Sequence, residues 1–339
     1  MQLTSLPVIE RLGTGKLTSR PGSEDSKARR PFASPREILV QTRRATPDGL
    51  RALAWKEALG LTRPRDWFLP MGAMLAGSLA AGCGDHLMAT WPQLLLGLAL
   101  VGPLLAGSSN VINAYFDRDL EPVGGPISSG RMTPDLVVAQ IAVMALLALG
   151  AAHLLGPWIF GLAIASVFIS LAVNAPPFRL RRQTWWNGLF HGVAAIAFPW
   201  VIGHLPHGSL TVNSGVLAGL FAFGALGLQI MAGLTDAERD REAGIRSFAA
   251  LLGAEVGALV SSLLVNTAIL GAAILCYDGN AMAASGVLSA LFAVTLAVQS
   301  SFLWRGTLRD RWPVSLVHGM YAVSMIVAGA AIATVTTSF

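Results

Sequence analysis

The chain is 339 residues long, with 53% hydrophobic and only 13% charged side chains and a mean hydropathy of +0.59. Soluble domains carry about 25% charge, so the composition excludes a soluble globular protein; the apolar residues fall instead in stretches of about 20, each able to cross a hydrocarbon core of about 30 Å as a helix. The net charge of +5 is concentrated in residues 1–66, which hold 13 of the 24 Lys and Arg against 7 acidic residues, so no nucleic-acid partner is expected, and the 2 cysteines, Cys83 and Cys276, exclude a disulfide framework and a four-thiolate zinc site.

From Met1 to about Arg65 the sequence is polar, rich in Ser, Pro and Arg, with no apolar run suited to a signal peptide. It is expected to be a largely disordered, basic cytoplasmic tail (residues 1–65), with anionic lipid or a docking partner as alternative targets. Near its end, Leu50 to Leu61 (LRALAWKEALGL) has helical spacing of Trp55 with Leu and Ala. It reads either as a helix on the membrane surface or as an ordinary lead-in helix.

Nine hydrophobic segments follow, at about residues 67–83, 92–113, 135–155, 157–174, 185–204, 214–234, 255–276, 281–303 and 314–336. The expected fold is all-α: a polytopic bundle of nine transmembrane helices over residues 66–339. All 11 basic residues beyond the tail lie in the loops after segments two, four, six and eight, while the other loops have no Lys or Arg. The positive-inside rule then places the tail and the basic loops in the cytoplasm and the C-terminus outside.

Two acidic clusters occupy these basic loops. In SSNVINAYFDRDLEPVGGPISSGR, Asn113, Asp117 and Glu121 recur every four residues; in GLTDAERDREAGIRS, Asp236 and Asp240 do the same. On a helix, i and i+4 share a face, so each cluster is expected to extend a transmembrane helix into water on the same side. Oxygen donors in this spacing suit Mg²⁺, which takes one or two carboxylates and leaves positions for phosphate oxygens. Arg118, Arg131, Arg179, Arg181, Arg182 and Arg246 on the same side are suited to a diphosphate.

These segments resemble the UbiA superfamily of intramembrane prenyltransferases, whose nine-helix fold carries N-D-x-x-D-x-x-x-D after the second helix and D-x-x-x-D after the sixth. Within it the similarity is to chlorophyll and bacteriochlorophyll synthases: NAYFDRDLEPVGGPISSGR is similar to their N-D-x-x-D-R…P-I-P-S-G-R stretch, APPFRLRRQTWWNG to P-P-x-R-L-K…G-W-W, and DREAGIRSFAALLGAEVGA to G-D-R…G-x-x-S-L-P-V-x-L-G. The resemblance implies transfer of a geranylgeranyl or phytyl group from its diphosphate to the propionate of a chlorophyllide or bacteriochlorophyllide, with Mg²⁺ as cofactor. Membrane lipids surround the protein, and assembly proteins of a photosynthetic membrane are candidate partners. The implied metal ligands are Asn113, Asp117, Glu121, Asp236 and Asp240, with Asp117 and Asp236 as the catalytic acids. Arg118, Arg131, Arg179, Arg182 and Arg246 are the implied diphosphate contacts.

The chain departs from the family pattern. Ala114 stands at the first Asp of the first motif if a three-residue deletion precedes Pro126, whereas an ungapped alignment equates Asn113 and Asp117 with family acids. The usual P-x-R-P is replaced by Pro122-Val123-Gly124-Gly125-Pro126, without its arginine, and Ser247-Phe248-Ala249 replaces S-L-P. Two alternatives therefore stay open: a prenyltransferase for an aromatic quinone precursor, and a catalytically weakened relative that binds pigment or isoprenoid as an assembly subunit. Outside the motifs, His191 is expected to be a buried, hydrogen-bonded histidine rather than a magnesium-porphyrin ligand, Asn174 and Gln229 helix-packing groups, Pro199 a kink, and His204 and His207 solvated loop residues.

Overall fold

A computed structural model of the chain describes residues 55–118, 125–180, 184–235, 237–242, 247–305 and 312–336. The tail as far as residue 54, and with it Glu121, Arg181, Arg182, Asp236 and Arg246, lies outside the described residues.

All regular structure in the described residues is helical. Helix α1 covers residues 55–61, and a short 3₁₀ turn at Pro64–Trp67 leads into α2, Phe68–Ala80. Helix α3 runs through Leu87–Ala99, a π turn at Leu100–Ala106, and Gly107–Phe116. Then come α4, Pro134–Leu155, and α5, Pro157–Asn174. Helix α6 is again divided, into Thr184–Gly192, a π turn at Val193–Ala197, and Phe198–His204. The remainder are α7, Val212–Gly233; the short α8, Ala237–Glu242; α9, Phe248–Asp278, interrupted at Gly253; α10, Met282–Arg305; and α11, Trp312–Thr336.

Local chemistry sets many of these boundaries. Thr133, Thr211 and Ser247 each accept a backbone N–H from three residues ahead, from Leu136, Ser214 and Ala250, and so open α4, α7 and α9. Between α4 and α5 a single residue makes the turn, Gly156, whose φ of 132° an L side chain rarely adopts. Both π turns contain or adjoin a proline. Pro103 and Pro199 have no N–H to donate four residues back, and the ladder continues through five-residue bonds, Gly107 N–H to Gly102 O and Phe198 N–H to Val193 O. The kink expected at Pro199 is thus a widened turn.

Among the described residues, seven helices are long and apolar enough to cross a membrane: Met88–Phe116, Pro134–Leu155, Pro157–Asn174, Val212–Gly233, Phe248–Asp278, Met282–Ser301 and Val314–Thr334. The other two expected spans correspond to α2, whose 13 residues rise about 20 Å, and to α6, whose π turn separates pieces of nine and seven residues.

Helices α2 and α6 sit between two buried clusters. One joins them to α7, α9 and α11 through Ala73, Ala76, Trp200, Phe221, Ala268, Tyr321 and Met325; the other joins them to α3, α4 and α5 through Met74, Leu100, Ala148, Ile159 and Ile202. Lipid tails are as apolar as these side chains, so association depends on close approach and internal hydrogen bonds. A Cβ on Gly77 would lie 1.9 Å from the Trp200 carbonyl oxygen, one on Gly203 2.0 Å from that of Met74, and one on Gly329 2.2 Å from that of Ala76. Ser78 Oγ donates to Gly203 O at 3.0 Å, Ser261 Oγ to Gly227 O at 2.7 Å, and the Tyr321 hydroxyl to Phe221 O.

Helix α1 packs onto the bundle. Its Ala58 carbonyl accepts from Gln140 of α4 at 2.9 Å, Glu57 pairs with Arg131 at 3.2 Å, and Leu61 is buried with Val111, Ile127, Met132 and Val137.

Candidate active site

The first acidic cluster begins on the last turn of α3. Asp117 follows the final helical residue, and its N–H still bonds to Asn113 O at 2.9 Å, so the two residues lie one turn apart. Helix α3 ends at Phe116, so the expected helical extension stops short of Asp117, while Glu121 lies outside the described residues. Two guanidinium groups take up the carbonyls of its last turn, Arg118 donating to Tyr115 O at 3.2 Å and Arg179 to Phe116 O at 2.8 Å. Arg118 also lies over the Tyr115 ring, 5.0 Å from its centroid.

Alongside Arg118, Arg179 is therefore an implied diphosphate contact that lies at the acidic motif. It arrives from the loop after α5 with a left-handed φ of 43°. Of its five N–H donors, those not used on Phe116 have no partner among the described residues. Arg131, in contrast, is turned toward Glu57. Arg182 and Arg246 fall outside the described residues.

Ala114 packs with Tyr115 against the small cluster of Leu61, Val111, Ile127, Met132 and Val137. Position 114 serves apolar packing in this chain, and Asn113 and Asp117 are the i, i+4 pair of oxygen-bearing side chains.

The second cluster also differs from a continuous extension. Helix α7 ends at Gly233, and Thr235 Oγ1 donates to Ala232 O at 3.2 Å. Asp240 lies on the separate helix α8, held to the start of α9 by Arg241 donating to Ala250 O at 2.9 Å; Asp236 and Glu121 are outside the described residues. Among the described residues no three His, Cys, Asp or Glu side chains converge on one metal position. The donors that are described, the Asn113 amide and the Asp117 and Asp240 carboxylates, are hard oxygen groups of the kind Mg²⁺ takes in small number alongside water and phosphate oxygens.

Sequence reasoning missed Asp66 and Asn110. Asn110, on α3 one turn before Asn113, donates to Thr62 O at 3.0 Å and to Asp66 Oδ2 at 3.3 Å, and Trp67 Nε1 donates to Thr62 O at 2.9 Å. The foot of α2 is thereby tied to the motif helix. These partners are 44 and 48 residues apart in sequence, and nothing in local spacing announces them.

Two histidine expectations are corrected. His204 is buried, its Nδ1 3.0 Å from Ser214 Oγ, which also accepts from Trp200 Nε1 at 2.9 Å, and its Nε2 3.0 Å from Ser209 O. The loop after α6 folds back to supply Ser209, and the first turn of α7 supplies Ser214. His207 in that loop has both ring nitrogens buried without a hydrogen bond among the described residues, and burial, with His204 next in effect, pushes its pKa below the ordinary value. The unfolded chain then binds a proton that the folded one resists, so stability present above about pH 6.5 is lost as the pH falls. Thermal melting in detergent is expected to give a lower midpoint at pH 5.5 than at pH 7.5, with the gap narrowed by His207→Phe. His191, expected to be hydrogen-bonded, has no hydrogen-bond partner among the described residues. Asn174 is buried and donates to Ser170 O, one turn back on the same helix, at 2.8 Å.

Among the described residues, a helical bundle with seven membrane-length helices and an acidic, arginine-bearing helix end defines an integral membrane protein with a polar site at one end of its helices. The chain matches the UbiA prenyltransferase family over residues 71–335 and belongs to it. It is 32% identical over 287 residues to the bacteriochlorophyll synthase 33 kDa chain of Cereibacter sphaeroides, a match covering 81% of this chain and 92% of that one. It is 30% identical over 211 residues to the chloroplastic chlorophyll synthase of Oryza sativa subsp. japonica, covering 59% of this chain and 56% of the relative. Its fold is similar to that of a UbiA homologue from Archaeoglobus fulgidus solved with GPP and Mg²⁺, with a TM-score of 0.57 at 16% identity, covering 82% of this chain and 99% of the other.

Proposed function

We propose that this protein transfers a geranylgeranyl or phytyl group from its diphosphate to the propionate carboxylate of a chlorophyllide or bacteriochlorophyllide. The observation that carries the reading is the similarity to the Cereibacter sphaeroides synthase chain along 92% of that chain's length, together with Arg179 beside the Asn113 and Asp117 turn.

In this reading the carbon–oxygen bond between the allylic carbon and the diphosphate breaks, the propionate oxygen bonds to that carbon, and inorganic diphosphate departs. The acceptor is already a carboxylate at neutral pH, so no general base is required. Bound Mg²⁺ would offset charge on the leaving group, with Asn113, Asp117, Glu121, Asp236 and Asp240 as its ligands. The unused N–H donors of Arg179 hold a diphosphate oxygen at a fixed distance from Asp117; Arg118, Arg182 and Arg246 add positive charge on the same side, which the basic loops mark as cytoplasmic. Arg131 supports the loop through Glu57.

Arg179→Ala is expected to lower the transfer rate at subsaturating prenyl diphosphate by about 10- to 100-fold, in line with loss of a charge-assisted pair worth about 1.5–3 kcal/mol, while Arg131→Ala changes it less. Initial rates over a range of diphosphate concentrations check this.

The reading itself is tested with purified protein, Mg²⁺, geranylgeranyl diphosphate and chlorophyllide, followed by chromatography of the pigment. An esterified pigment is expected. Turnover of 4-hydroxybenzoate or homogentisate without chlorophyllide turnover would move the protein to quinone precursors. Pigment that copurifies but is never esterified would make it a binding subunit.

A further inference from the structure

Two histidines that the proposed chemistry does not use lie inside the bundle. His191 is two residues before the π turn of α6, and His318 is on the second turn of α11. Each is half-buried. Contacts with α7 place them at one level: Gly192 abuts the Ala222 carbonyl, and Tyr321, three residues after His318, donates its hydroxyl to Phe221 O. They are within electrostatic reach of one another, and His318 is within that of Asp66. Asp66 in turn accepts from Asn110, one turn from Asn113 on the motif helix. His318 thus lies at the end of a chain of groups that starts at the acidic motif.

The two imidazoles differ in how their nitrogens are committed. His318 Nδ1 is 2.6 Å from Val314 O, one turn back on α11. A carbonyl only accepts, so Nδ1 carries the proton and Nε2 carries the lone pair. No described residue donates to that nitrogen. A neutral imidazole whose second nitrogen is anchored to a backbone carbonyl is the arrangement that orients histidine as a metal ligand. His191 has no such anchor.

We propose that Nε2 of His318 is the axial ligand of the magnesium at the centre of the tetrapyrrole acceptor. The proposal rests on the pigment reading above and deepens it. In such a pigment four pyrrole nitrogens fill the equatorial plane and leave an axial position open; one neutral nitrogen fills it with no bond broken and no proton moved. The ligand fixes the macrocycle on the side of α2 and α11, from which Asp66 and Asn110 lead to the diphosphate end. It also makes the site select magnesium pigments over metal-free ones, since loss of the metal leaves the imidazole without its partner.

The test is equilibrium binding to the full-length protein in detergent, without prenyl diphosphate, using chlorophyllide and its metal-free counterpart pheophorbide as probes. Wild-type protein is expected to bind the magnesium pigment at least tenfold more tightly. His318→Phe, which keeps a ring and removes the lone pair, and His318→Ala are expected to erase that preference while leaving pheophorbide affinity within twofold; added imidazole is expected to restore it in the Ala variant alone. Equal weakening of both pigments, an unchanged preference, or a preference that disappears with His191→Phe instead would overturn the assignment of His318 and leave the pigment reading standing. Failure of wild-type protein to bind either pigment would remove the pigment reading itself.

Discussion

Asp117→Ala is expected to reduce prenyl transfer by about 10²- to 10³-fold, the scale of losing one preorganised electrostatic group at a reacting centre, with the fold intact. Asp117 is half-buried, just beyond the last residue of α3, and alanine keeps its backbone N–H bond to Asn113 O. Asp117 directly follows Phe116, whose carbonyl accepts from Arg179. Because Arg179 bonds to the backbone, its position survives the substitution, and loss of a ligand to the bridging ion is expected both to lower kcat and to raise the KM for prenyl diphosphate. Esterification rates paired with thermal melting separate a catalytic defect from unfolding. A rate within threefold of wild type at an unchanged melting temperature would remove Asp117 from the reaction.

Gly77→Val has the largest expected effect on stability. The added Cβ falls 1.9 Å from the Trp200 carbonyl oxygen and 2.8 Å from its carbonyl carbon, and backbone cannot move aside as a flexible side chain would. Separating α2 from α6 also pulls Ser78 Oγ from Gly203 O, so the cost is expected to exceed the ~1–3 kcal/mol common for overpacking. Loss of the monodisperse peak in detergent size-exclusion chromatography is the readout. The control is Gly219→Ala on the exposed side of α7, where nothing lies within 4 Å; alanine's better helix propensity is expected to leave that variant as stable as wild type or more so.

How much of this was legible in the sequence depended on the range of the interaction. Continuous apolar runs of 18 or more residues placed α4, α5 and α7 to within about a turn, because burial in lipid is a property of the segment itself. The same reasoning could not measure α2, where 13 helical residues end at a Gly-containing turn, or foresee that Pro103 and Pro199 would be absorbed by π turns. The i, i+4 spacing put Asn113 and Asp117 on one face, yet it carried the helix too far, because the Arg179 guanidinium that takes the Phe116 carbonyl is 63 residues away. Asp66, Asn110 and His318 escaped notice for the same reason: each has an ordinary neighbourhood in sequence and acquires its surroundings only when α2, α3 and α11 pack. His204 was misread because a short polar loop looks solvated until Ser209 and Ser214 are seen closing over it.

In the proposed function, acids from two separate loops hold one diphosphate through a divalent ion. Mn²⁺ electron paramagnetic resonance, with an unreactive thio analogue of geranylgeranyl diphosphate as ligand, reads this directly. Tight Mn²⁺ binding is expected only when protein and analogue are both present, and it is expected to be lost in Asp117→Ala and in Asp236→Ala alike. Mn²⁺ that remains bound with its spectrum unaltered in both variants would contradict the account.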